Sequence, residues 1–330
     1  METMPGRQPK RKLLGTYQKD GLFRILSLDG GGAKGFYSLG VLKEIEGMLG
    51  CPLYQCFDLI FGTSTGAIIA ALIALGYEVD EIRELYRVHV PTVMKPILPY
   101  KKTAALAKLA KEVFGELTFL DVKTRVGIVA TKWQIEKPII FKGDIAQAHG
   151  RQGTFVPGFG ATIAKAVQAS CSAYPFFKRQ MLRLSTGDKV ELADGGYCAN
   201  NPTLYAIADA TAALKKAPSE LRVVSVGVGV YPPKTYRFLK PVKYLMGFNL
   251  LQKALEFNTQ SMEQLHAVLF KDIKTVRVND SFPQPEMATD LMEHDLTKLD
   301  TLWQRGRESF AGKEADLRLC LIPEVARGNP

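Results

Sequence analysis

The 330-residue chain lacks any apolar run long enough to cross a bilayer. Its longest, residues 67–75, holds nine, where a spanning helix needs about 20. The opening Met1-Glu2-Thr3-Met4-Pro5-Gly6 has no signal-peptide apolar region, so the expected location is the cytoplasm. Histidine is scarce, with only His89, His149, His266 and His294, and none forms an H-E-x-x-H pattern. Zinc-hydrolase chemistry is thereby set aside, and neither a metal nor a cofactor is expected. The five cysteines (Cys51, Cys56, Cys171, Cys198, Cys320) are odd in number, scattered and without a C-x-x-C pair. They read as reduced thiols, not as a disulfide frame or a zinc site. Internal repeats and low-complexity segments are absent too.

What is present is ordinary globular composition, 46% hydrophobic and 23% charged, in a chain long enough for a large core. Residues 1–20 carry Arg7, Lys10, Arg11, Lys12 and Lys19 and read as a basic, flexible tail. Residues 21–330 read as a single domain, since no linker divides them. The net charge of +10 favours polyanions such as nucleic acid, anionic lipid headgroups or phosphorylated ligands, or serves solubility alone.

Short apolar runs at 24–28, 57–61, 126–130, 138–141, 190–193, 223–228 and 275–278 read as strands. Helical patterns at 37–49, 66–75, 161–169, 204–216 and 250–270 lie among them. The alternation predicts an α/β fold with a mostly parallel central sheet and helices on both faces.

Three motifs carry chemistry. Ser64 lies in Gly62-Thr63-Ser64-Thr65-Gly66, between an apolar strand and an apolar helix. A serine on such a turn reads as a nucleophile elbow, its hydroxyl raised towards the positive end of the next helix. The glycines allow the tight turn, one of them with positive φ. Upstream, Asp29-Gly30-Gly31-Gly32-Ala33-Lys34-Gly35 contains G-x-G-x-x-G between strand and helix. A dinucleotide fingerprint also needs an acid at the end of the second strand. Asp58 stands at that strand's beginning, so the dinucleotide reading loses ground. The other use is an oxyanion hole, because consecutive glycines let N–H groups converge on one point. Lys34 then adds charge beside an anion or caps the surface. Third, Asp194-Gly195-Gly196 ends an apolar strand, where a parallel sheet builds sites; by itself it also fits a plain turn.

In order and spacing these three motifs, together with Ala169-Ser170-Cys171-Ser172-Ala173-Tyr174-Pro175-Phe176-Phe177, resemble the patatin-like phospholipases. The resemblance covers roughly residues 22–230. It implies a three-layer patatin-like fold and hydrolysis of glycerophospholipid acyl esters by a Ser–Asp dyad through an acyl-enzyme. Carried across, Ser64 is the nucleophile and Asp194 the general base. Gly30, Gly31, Gly32, Ala33, Lys34 and Gly35 form the oxyanion loop, and Gly62, Gly66, Gly195 and Gly196 support the turns. Many members have Arg where this chain has Lys34, which loses the bidentate fork.

The implied partner is a phospholipid membrane surface, with peripheral attachment in the active state and no nucleic acid. The short layout and basic C-terminal third look similar to family members of bacterial antiviral systems that cyclic nucleotides switch on. That likeness implies a cyclic dinucleotide activator and admits a homo-oligomer. Two basic amphipathic stretches, 101–114 and 231–248, could meet anionic lipid or simply dock on the protein. Two alternatives stay open. A Ser–His–Asp triad could use His266 or His294, which follow Asp194 in the chain. A catalytically silent nucleotide- or lipid-binding scaffold could retain the fold.

Overall fold

The computed structural model describes residues 21–234 and 242–323, without the side chains of 242–249. The basic tail 1–20 and residues 235–241 of the 231–248 stretch lie outside the described residues. In chain order the elements are β1 (Phe23–Leu28), α1 (Gly35–Leu49), α2 (Leu53–Cys56), β2 (Leu59–Thr63), α3 (Thr65–Leu75), α4 (Val79–Met94) and α5 (Pro99–Phe114). Then come β3 (Arg125–Lys132), β4 (Lys137–Lys142), α6 (Ile163–Ser170), β5 (Gln180–Arg183), β6 (Lys189–Asp194), α7 (Gly196–Ala199) and α8 (Thr203–Ala208). β7 (Leu221–Val226), α9 (Val242–Leu269), β8 (Lys274–Val278), α10 (Leu296–Ala311) and α11 (Glu314–Leu321) complete them.

The sheet runs β5-β6-β3-β2-β1-β7-β8, with β4 also paired to β3. β1 and β2 are buried along their whole length, as apolar strands covered on both faces must be. Their side chains alternate between two cores. Leu26, Leu28 and Ile60 pack with α1, α3 and α4, while Phe23, Ile25, Leu59 and Phe61 pack with α8. α3 is apolar on every side and is enclosed on every side. The expected three-layer fold with a mostly parallel sheet is what forms.

Strand direction corrects one expectation. β6 is antiparallel to both β3 and β5, so Asp194 does not end a parallel strand. β2 and β6 instead share one edge of β3 and meet head to head. Thr63, at the end of β2, registers with Val129, and Asp194, at the end of β6, registers with the next residue, Ala130. This end-on meeting brings residues 64 and 194 together across 130 positions of sequence.

The cysteines correct another. Cys51 and Cys56 form a disulfide, because the α2 turn brings their Cα atoms to 6.8 Å. Cys171, Cys198 and Cys320 are free. The helix expected at 204–216 forms as α8 continued by a π-helical stretch, Asp209–Ala213, and ends three residues short. The amphipathic stretch 101–114 forms α5, and its apolar face (Leu106, Leu109, Ala110) is buried against the core. Among the described residues no helix is long and apolar enough to cross a membrane.

Candidate active site

The positive φ expected of a glycine falls on the serine itself. Ser64 has φ 53° and ψ −121°, a backbone strain of the kind that folds retain at functional sites. The flanking glycines answer to space. A Cβ on Gly62 would lie 2.2 Å from the Gly66 carbonyl oxygen, and one on Gly66 2.3 Å from that of Leu28. No larger residue fits that turn. The Ser64 N–H donates to Ser170 Oγ (2.9 Å), whose own hydroxyl donates to the Val129 carbonyl (2.6 Å). Ser170 thereby fixes the elbow to β3.

Ser64 Oγ donates to Asp194 Oδ2 at 2.9 Å. The other carboxylate oxygen, Oδ1, accepts the Gly196 N–H at 2.7 Å. The Asp194 and Gly195 amides donate to the carbonyls of Ser172 and Ser170, and Thr131 Oγ1 donates to the Asp194 carbonyl. Asp194 is only 2% exposed. Burial pushes its pKa up to about 7, against the pull of the Gly196 and Ser64 hydrogen bonds. A carboxylate held there is a far better base than a free aspartate near 3.9.

No histidine joins the pair. His266 faces Thr275 Oγ1 (3.0 Å) near the start of β8, and His294 is exposed against the Met292 carbonyl (3.1 Å). In this geometry neither of the two histidines weighed for a Ser–His–Asp triad hydrogen-bonds to Ser64 or Asp194. The neighbouring Cys171 thiol is buried, and burial with the Asp194 charge holds its pKa well up. It stays neutral and a poor rival nucleophile.

The glycine loop narrows the list of oxyanion donors. Within the loop, the amide of Gly30 donates to the Asn200 carbonyl, Ala33 to Leu291 and Lys34 to Gly31. The Gly35 amide is engaged by the carbonyls of Gly32 and Ala33. The amides of Gly31 and Gly32 have no such acceptor, and both residues line the cleft with Ser64 and Asp194. Gly32 has φ +57°, and a Cβ there would lie 2.4 Å from the Leu291 carbonyl oxygen. Lys34 is not a surface cap. It is 5% exposed, and burial lowers its pKa despite Glu256, Asp290 and Asp29 nearby. Its side chain lines a second pocket, behind the loop, and not the Ser64 cleft.

Asp29 opens the loop and is anchored by Arg277 of β8. The guanidinium forks onto it, Nη1 to Oδ1 at 2.9 Å and Nη2 to Oδ2 at 2.6 Å. Burial still holds the Asp29 pKa up at about 6. Sequence reasoning missed Ser170, Arg277 and the Leu291 carbonyl. Ser170 lay within a quoted motif, whereas the other two carry no local signal.

The cleft above Ser64 is apolar. Ile68, Val90, Val93, Met94, Leu106, Leu109, Ala173, Phe177, Leu255, Leu291 and Met292 wall it, with Gly31, Gly32, Ser64 and Asp194 at one end. It encloses about 660 Å³ of atom-free space, its open mouth included. A strained, hydrogen-bonded serine, a basic buried carboxylate and two free amides beside an apolar channel suit attack on an ester with a hydrocarbon tail.

A family model described as patatin-like phospholipase matches residues 26–207, more than half of the chain. A cUMP-AMP-activated phospholipase of Escherichia coli is 64% identical over 94% of this chain and 97% of its own length. A cGAMP-activated phospholipase of Vibrio cholerae is 28% identical over 86% of this chain and 89% of its own. The crystal structure of VipD from Legionella pneumophila aligns with a TM-score of 0.45 and 15% identity, over 96% of this chain and 72% of that one. The resemblance drawn from the motifs, the fold and the enzyme class accord with the family model and the two relatives. The chain belongs to the patatin-like phospholipase family.

Proposed function

We propose that the protein cleaves acyl esters of glycerophospholipids at a bilayer surface, with Ser64 as nucleophile and Asp194 as its base. The observation that carries this reading is the 2.9 Å hydrogen bond from Ser64 Oγ to Asp194 Oδ2, with no histidine within reach of either. Asp194 takes the hydroxyl proton as Ser64 attacks the ester carbonyl. The Gly31 and Gly32 amides receive the oxyanion, each donor being worth roughly 3–4 kcal/mol of barrier by analogy with serine proteases. The proton passes to the departing lysolipid oxygen. Water, deprotonated by the same carboxylate, then releases the fatty acid from Ser64. The apolar cleft supports a hydrocarbon chain as the acyl group.

Residues 21–330 act in this as one catalytic domain. What supports it is that C-terminal groups, Arg277 and the Leu291 carbonyl, hold the glycine loop. The domain also takes a cyclic dinucleotide as activator, because both relatives described above are named for one. The test is mass spectrometry of mixed phospholipid vesicles incubated with wild type and Ser64→Ala, with and without cUMP-AMP and cGAMP. Lysophospholipid and free fatty acid are expected from wild type with an activator and not from the variant. Intact lipids under every condition would refute the hydrolase, and equal turnover without nucleotide would refute the switch.

A further inference from the structure

The corner joining α4 to α5 is exposed and apolar, where a turn between helices is ordinarily polar. Ile97 is 68% exposed, Leu98 46% and Tyr100 51%. Lys95 and Lys101 flank them, both exposed, and neither makes an ion pair among the described residues. A third cation stands beside them: the exposed Lys178 is tied to α5 by its N–H, which donates to Thr103 Oγ1 at 2.8 Å. From Leu85 to Lys111 the sequence contains no Asp or Glu. The corner is thus one-signed in charge as well as greasy.

It is also firmly built and placed at the cleft. The buried Lys102 donates from Nζ to the Met94 carbonyl at 2.5 Å, clamping the start of α5 to the end of α4. The same Nζ reaches Met292 Sδ at 3.4 Å. Met94 and Met292 both wall the apolar cleft that ends at Ser64, as do Val93 and Leu106 from the two helices. The corner therefore adjoins the channel through Met94.

We propose that residues 95–101 are the edge by which the protein docks on an anionic phospholipid bilayer. Ile97, Leu98 and Tyr100 enter the headgroup–acyl boundary, and Lys95, Lys101 and Lys178 meet headgroup phosphates. Apolar groups buried at that depth with cations around them are the physical pattern of reversible surface binding. Each lysine at an anionic surface strengthens binding roughly fivefold. Docking in this orientation sets the mouth of the cleft against the lipid. The purpose of the edge rests on the phospholipase reading, but binding is measurable without turnover.

The test is co-sedimentation of the whole protein with phosphatidylglycerol–phosphatidylcholine vesicles and with pure phosphatidylcholine vesicles, with and without cUMP-AMP. The variants are Ile97→Asp/Leu98→Asp, Lys95→Glu/Lys101→Glu and Ser64→Ala. Both corner variants should bind phosphatidylglycerol vesicles at least tenfold more weakly. They should keep wild-type melting temperature and wild-type turnover of a monomeric p-nitrophenyl ester. The lysine variant should match wild type on pure phosphatidylcholine, and Ser64→Ala should bind as wild type does. Undiminished binding by both corner variants overturns the proposal. So does a wild type that binds neither vesicle, or corner variants that change only the oligomeric mass. A wild type that docks through this edge yet releases no fatty acid would sink the hydrolase reading and leave the edge standing.

Discussion

Asp194 is where the chemistry and the stability of this protein pull in opposite directions. Burial raises its pKa to about 7, so the folded state binds the proton more tightly than the unfolded chain, whose aspartates titrate near 3.9. The stabilising effect of the neutral carboxyl is complete below the unfolded value and is lost as pH rises through about 7. As the proposed base, Asp194 must be ionised to act, so turnover of a soluble ester should climb about tenfold per pH unit below 7 and level off above it. Asp194→Asn should abolish turnover. It should also gain stability over wild type on going from pH 5 to pH 8, by on the order of 2–3 kcal/mol, read as a rise in relative melting temperature. A variant that gains nothing at pH 8 would mean the carboxylate is not buried at a cost. Gly32→Ala adds a Cβ against the Leu291 carbonyl at a positive φ, which should displace the neighbouring amides. A loss of at least a hundredfold in kcat with a lowered Tm is expected, measured on the same ester.

At the scale of elements, the site depends on two strand ends and on what pins them. Ser170→Ala removes the hydroxyl that links the Ser64 amide to the Val129 carbonyl. The cost should be about 1–3 kcal/mol of stability, and kcat should fall further than KM rises, because the elbow loosens without losing its apolar cleft. Arg277→Met leaves Asp29 buried without its fork and should cost about 3–5 kcal/mol by chemical denaturation. These pins explain what could be read beforehand. Ser64 and the glycine loop were legible because each is a local turn between a strand and a helix, whose spacing the sequence prints directly. The partnership of Ser64 with Asp194 rested on family resemblance, since the direction of β6 is a matter of pairing and leaves no local mark. Arg277 lies 248 positions from the aspartate it holds, and nothing in its neighbourhood announces that role. α10 was overlooked although its signal is present. Leu299, Leu302, Trp303, Gly306 and Phe310 form one buried stripe at helical spacing, and Asp295 caps the first turn from its side chain.

Over the whole molecule, the C-terminal third packs against the candidate site. Arg277 and the Leu291 carbonyl hold the glycine loop, and Leu255, Leu291 and Met292 wall the cleft. A chain cut after residue 230 should therefore fail to give a cooperative thermal transition, as calorimetry would register. In the proposed mechanism the serine of this fold is activated by one buried carboxylate and no histidine. The most direct measurement is peptide mapping after labelling with a fluorophosphonate, applied to wild type, Asp194→Asn and the His266→Ala/His294→Ala double variant, each first confirmed as folded by its melting curve. Labelling of Ser64 in wild type and in the double histidine variant, with its loss in Asp194→Asn, is the predicted result. Labelling that survives in Asp194→Asn and disappears with the histidines would contradict it.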